Sequence, residues 1–127
     1  MSLNPEQFGD AMKYRDTQLV PISLLSTMRG NELRYDVSEL SEDLKKRGFD
    51  RPGIIDYYQH DRKAILGEGN HRLEAAKRAG FTHMPVTVYR IEGSGKKRGV
   101  PVKGFEPDRH NYVPGRLRPS DIMDING

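Results

Sequence analysis

The feature that most constrains this chain is a change of texture at residue 93. Before it, short β-branched runs alternate with stretches of helical period. After it the alternation stops. Residues 93–127 hold six of the 13 glycines and four of the eight prolines, without an apolar period. Such a segment does not bury enough apolar surface to build its own core. The fold is therefore expected from the preceding residues, which suffice for one modest core. The expected division is an N-terminal extension (1–17), a domain (18–92) and a flexible Gly/Pro-rich basic tail (93–127).

Charge follows the same division. The 127 residues carry 21 Lys+Arg against 18 Asp+Glu, a formal +3. Seven basic and four acidic residues lie from Gly93 onward, so the excess belongs to the tail and the first 92 residues are neutral. A neutral body argues against a protein that binds nucleic acid through its whole surface. No apolar run approaches the roughly 20 residues that span a bilayer. No basic-then-apolar leader opens the chain, so a cytoplasmic location and no membrane partner are expected. There is no cysteine, which excludes disulfides, thiolate catalysis and a cysteine-based metal site.

Within the body the spacing predicts the order β, α, β, β, α, β, a compact α+β domain. Asn4-Pro5-Glu6-Gln7 reads as a short helix start, with Asn4 as cap and Gln7 at the reciprocal position. Gln18–Ile22 reads as a strand, its Pro21 marking an edge or an end. Asp36 and Glu39 form a capping box. Val37, Leu40 and Leu44 then share a helix face, and Lys45, Lys46 and Arg47 precede a C-terminal Gly48. Runs 53–59 and 63–67 flank His60-Asp61-Arg62 as a hairpin. Tyr57-Tyr58 places one ring inside and one outside. A second helix is expected over about 70–79, ending at Gly80, and a last strand over 85–91.

Chemistry concentrates in Ile65-Leu66-Gly67-Glu68-Gly69-Asn70-His71-Arg72. A strand ends, a Gly-x-Gly turn follows, and polar residues open a helix. Glycines let a ligand approach the backbone, and the helix N-terminus offers N–H groups and a dipole that favours an anion. Arg72 can grip a phosphate bidentately. His71 can donate to it or carry a proton, and Asn70 is expected as the N-cap. A carboxylate beside a phosphate is repelled, a conflict that disappears if Glu68 holds Mg²⁺ or accepts a proton. The bland alternative is a structural strand-turn-helix junction, since Gly-x-Gly is neither a P-loop nor a full dinucleotide fingerprint. His60, His83 and His110 lack metal-ligand spacing. In the tail, Lys96, Lys97 and Arg98 form a short basic cluster suited to weak, sequence-independent contact with nucleic-acid phosphates.

Residues 18–92 resemble the ParB/sulfiredoxin-like domain family. The resemblance rests on several ordered matches. They are Leu19-Val20-Pro21-Ile22-Ser23-Leu24-Leu25, the helix to Gly48 with Phe49-x-x-Pro52, Gly67-Glu68, Gly69-x-His71-Arg72, Ala75-Ala76, Gly80 and Met84-Pro85-Val86. Gly67-Glu68 is similar to the opening of the ParB signature box, and Gly69-x-His71-Arg72 to the loop of the sulfiredoxin branch. The resemblance implies a nucleotide or phosphate site at Gly67, Glu68, Gly69, Asn70, His71 and Arg72, with Arg34 as a second phosphate contact. It implies ATP or CTP with Mg²⁺ as cofactors, and DNA or nucleotide as ligand. Asn70 stands where sulfiredoxins need cysteine, so reductase chemistry is excluded. Gly69 and Asn70 replace the two basic residues of partition proteins, against CTP hydrolysis.

The expected function is nucleotide or nucleic-acid phosphate binding at Gly67–Arg72, by a nuclease or a phosphotransferase using a nucleoside triphosphate. Glu68 and His71 are the catalytic candidates, and Glu68 the metal ligand. The alternative is a non-enzymatic module that binds DNA, or a protein partner through its tail.

Overall fold

In the computed structural model the described residues are 4–29, 36–58, 63–91, 98–101 and 123–124. The elements are a 3₁₀ segment (Pro5–Lys13), β1 (Gln18–Pro21), α1 (Ile22–Leu25), a 3₁₀ turn (Ser26–Met28), α2 (Ser38–Arg47), β2 (Gly53–Tyr58), β3 (Lys63–Glu68), α3 (Asn70–Ala79), β4 (His83–Ile91), β5 (Arg98–Pro101) and β6 (Met123–Asp124). This is a small α+β protein, and within residues 18–91 the expected order of long elements holds.

Strand β4 organises the sheet. One edge pairs in parallel with β2, from Gly53↔Val86 to Tyr58↔Ile91. The other edge carries β1 antiparallel at its beginning (Gln18↔Val86) and β5 antiparallel at its end (Tyr89↔Pro101). β3 lies outside β2, and β6 outside β1. The β2–β4 connection passes through β3 and α3, the kind of long crossover that parallel pairing requires. Met84 to Val88 are buried at every position. A strand with neighbours on both edges and cover on both faces reads as a continuous apolar run. Tyr57 is buried and Tyr58 half-buried, as the alternation on β2 predicts.

α2 carries a buried stripe of Val37, Ser41 and Leu44, with Leu40 partly buried beside it. Asp36 caps it from one position further out than expected. Its Oδ1 accepts from the Ser38 N–H at 2.9 Å and the Ser38 hydroxyl at 2.5 Å, while Val37 holds the N-cap position. These bonds, the side-chain bond first, hold the Asp36 carboxyl below its ordinary range.

The N-terminal segment corrects the expected boundary at residue 17. Phe8 and Ala11 have no exposed surface. Phe8 packs against Phe49 (centroids 6.4 Å apart) and Phe81 (5.8 Å), and these two rings meet edge-on at 5.2 Å. Asn4 does cap the segment, accepting from the Glu6 N–H at 3.1 Å. However, Gly9 at φ 74°, ψ −156° breaks it. Gly48 after α2 has nearly the same conformation, φ 73°, ψ −154°. The two glycines face one another, flanked by the Phe49 N–H bond to Phe8 O and the Ala11 N–H bond to Phe49 O, each 2.8 Å. A Cβ on Gly48 would stand 2.6 Å from Gly9 N, and one on Gly9 2.4 Å from Arg47 O. One aromatic cluster and one glycine crossing thus make residues 4–13 part of the core.

The boundary at residue 92 is also crossed, because β5 and β6 belong to the sheet. Arg98 begins β5. Arg34, Lys96 and Lys97, the hairpin turn at 59–62 and His110 lie outside the described residues. Among the described residues, no helix is long and apolar enough to cross a membrane.

Candidate functional site

The β2–β3 register builds the site. Ile55 pairs with Leu66 and Ile54 with Glu68, so β3 spends one extra residue, Gly67, opposite that step. This is a bulge, and it turns the end of β3 outward. Gly69 then takes φ 105° at the N-cap position, and its carbonyl accepts the first helical bond of α3 from the Leu73 N–H at 2.8 Å. A Cβ on Gly69 would meet Met84 Cε at 2.9 Å and Gly53 Cα at 3.2 Å. Glycine is required by the left-handed turn and by the close pass over β2.

Asn70 is the first helical residue, one position later than its expected N-cap place. Its Nδ2 donates to Leu66 O at 3.2 Å, lashing the turn back to β3. Its Oδ1 is buried with no hydrogen-bond partner. The first-turn N–H groups of Asn70, His71 and Arg72 have no acceptor within the helix. Arg29 braces the junction from behind. Its backbone bridges Leu66, and its Nη1 donates to Glu74 on α3.

Arg51 is the residue that reasoning along the sequence missed. It sits in the turn before β2, and antiparallel pairing carries that turn to the end of β3. Arg72 Nη1 donates to Arg51 O at 2.6 Å. The two cations share one open pocket of about 450 Å³ with Gly67, Glu68, Gly69, Asn70 and His71. All six predicted loop residues thus line the same cavity. Burial pushes the Arg72 guanidinium below its ordinary range, and the Arg51 charge pushes it the same way. Glu68 and Asp50 act in the opposite direction. Two like charges at a helix N-terminus relieve each other most when an anion sits between them. The only sequence signal for Arg51 was its place beside Pro52-Gly53, two residues before a strand.

A larger cavity, about 780 Å³, lies at the other end of α3, between the C-terminal turns of α2 and α3 and residues 4–7. It is a poorer anion site. Lys45 and Arg47 on its rim are paired with Glu42 and Asp43 at 3.2 and 2.5 Å. Two helix C-termini converge there, and their dipoles repel negative charge. Burial also pushes His83 on its wall down, away from the cationic form. The smaller pocket has the better chemistry.

Among the described residues, no group of three or more His, Asp and Glu side chains is arranged to hold a metal ion. Glu68 is the carboxylate in the pocket, and a single carboxylate suits a cation shared with phosphate oxygens and water.

No protein-family model matches this chain, and neither a curated protein nor a solved structure matches it. The functional reading therefore rests on the site itself.

Proposed function

We propose that this protein binds the phosphate groups of a nucleotide or nucleic acid at the Gly67–Arg72 loop, within a ParB/sulfiredoxin-like domain. One observation carries the reading: Arg51 and Arg72 converge on the first turn of α3, in one pocket with the Gly-x-Gly turn. Guanidinium pairs and helical N–H groups are the protein's main means of gripping phosphate oxygens. The order of the long elements supports the domain assignment.

The chemistry that follows is phosphodiester hydrolysis or phosphoryl transfer. Arg51 and Arg72 offset the charge of the phosphoryl group. Glu68 would hold Mg²⁺, which would supply charge neutralisation at the phosphate, or would accept a proton from the attacking hydroxyl or water. His71, exposed at the mouth of the pocket, is the candidate proton carrier.

Calorimetric titration of the full chain with ATP, CTP and inorganic triphosphate, with and without Mg²⁺, tests the binding. Arg51 is exposed and its backbone carbonyl survives substitution, so Arg51→Ala is the clean probe. Its affinity is expected to fall about tenfold or more, the size of one charge-assisted contact. Equal affinity of variant and wild type, or no binding by the wild type, overturns the site. A nuclease and phosphotransfer assay with Glu68→Gln and His71→Ala tests the chemistry. Binding without turnover leaves an interaction module.

A further inference from the structure

Resting on that phosphate reading, we infer that the site recognises phosphate and is blind to the base. Its ligand class is a polyphosphate or phosphodiester chain of any sequence. The pocket wall decides this. Apart from its glycines, every side chain lining it is cationic, anionic, imidazole or amide: Arg51, Glu68, Asn70, His71 and Arg72. Arg51, Gly67, Glu68 and His71 are exposed, so the pocket is a shallow notch at the end of the sheet and not a slot.

Base selection needs other materials. A nucleobase is held by stacking on an aromatic or apolar face and is told apart by hydrogen bonds to its edge. Of the apolar residues beside the notch, Ile54, the β2 partner of Glu68, is half-buried and the others face inward. Pro52 and Gly53 are buried under it, and Met84, whose Cε lies against Gly69, has no exposed surface. The tyrosine that closes β2 stands at the other end of that strand, five residues from Gly53. The donors that remain are two guanidiniums, the exposed His71 imidazole and a helical turn of N–H groups. These read the tetrahedral oxygens common to every nucleotide.

The same chemistry has two sources, a free nucleoside polyphosphate and a nucleic-acid backbone. The test uses the full chain and competition against a fluorescent triphosphate. ATP, CTP, GTP and UTP are expected to compete within about threefold of one another, and inorganic triphosphate to compete as well. A base held by stacking would open a gap of about tenfold or more. Oligodeoxynucleotides of unrelated sequence are expected to compete equally with one another. Tighter binding by these, falling steeply with salt, identifies the backbone as the source. Tighter binding by the mononucleotides identifies the free nucleotide. A preference of tenfold or more for one nucleotide, inactivity of inorganic triphosphate, or sequence-dependent competition overturns base blindness and leaves the phosphate site standing. Failure of every phosphate compound to bind overturns both.

Discussion

Two glycine junctions in this molecule look alike in the sequence and do opposite work. Gly9 and Gly48 meet at the base of the Phe8, Phe49 and Phe81 cluster, where backbone lies against backbone. Gly67 and Gly69 sit at the rim of the sheet, where the backbone faces an open notch lined with charge. At Gly9, Gly48 and Gly69 a Cβ does not fit. In the first junction, the space is filled by another part of the chain. In the second, a Cβ on Gly69 would point inward at Met84 and Gly53, and the outer side of the turn faces the notch. What separates the two junctions is therefore what the outer side of the turn faces, packed chain at Gly48 and the open notch at Gly69.

Substitution should break the first junction far more severely than the second. Gly48→Ala places a Cβ 2.6 Å from two backbone atoms, at a φ and ψ that essentially only glycine adopts. A loss of about 4 kcal/mol or more is expected. Chemical denaturation checks it, and a loss under about 1 kcal/mol would show that the crossing is looser than described. Phe8→Ala removes a fully buried ring from the same junction. It should cost about 3–4 kcal/mol by the same measurement. A near-neutral result would restore residues 4–13 to the status of an extension.

Gly69→Ala is the matching change at the open junction. The new Cβ meets the flexible end of Met84 before any backbone, so the main cost is the left-handed φ of 105°. About 1–2 kcal/mol is expected, with triphosphate affinity reduced as the first turn of α3 shifts. Equal losses for Gly48→Ala and Gly69→Ala would remove the distinction between the two junctions.

The smallest effect lies away from both. Asp36 is lowered in the folded state by its bonds to Ser38, so its contribution is present above the unfolded carboxylate pKa. It is lost as pH falls through the folded value. Thermal melts of wild type and Asp36→Asn should differ slightly at neutral pH and converge in acid. A gap that persists below the carboxylate range would assign the effect to something other than this titration.

Legibility in the sequence follows the range of each interaction. Helix α2 was readable because its signals are local: an Asx cap, an apolar period, basic residues in the last turn and Gly48. The turn into α3 was readable for the same reason, and its six residues do line one pocket. The shift of the N-cap from Asn70 to Gly69 was not, because the left-handed turn that moves it is set by packing over Gly53 and Met84. The role of Phe8 was invisible for a related reason. Its partners are Phe49 and Phe81, far along the chain, and nothing within the first 17 residues announces them.

By itself, then, the sequence determined the order of the elements, the glycine turn that opens α3, and the side chains offered there to an anion. Each follows from backbone preference or period over a few neighbouring residues. The tertiary structure alone decided that the N-terminal segment belongs to the core, that β5 and β6 extend the sheet, and that Arg51 stands beside Arg72. Each of these depends on a strand register or a packed crossing between distant residues. The charge at the candidate site is thus assembled by the sheet from two turns that are neighbours only in space.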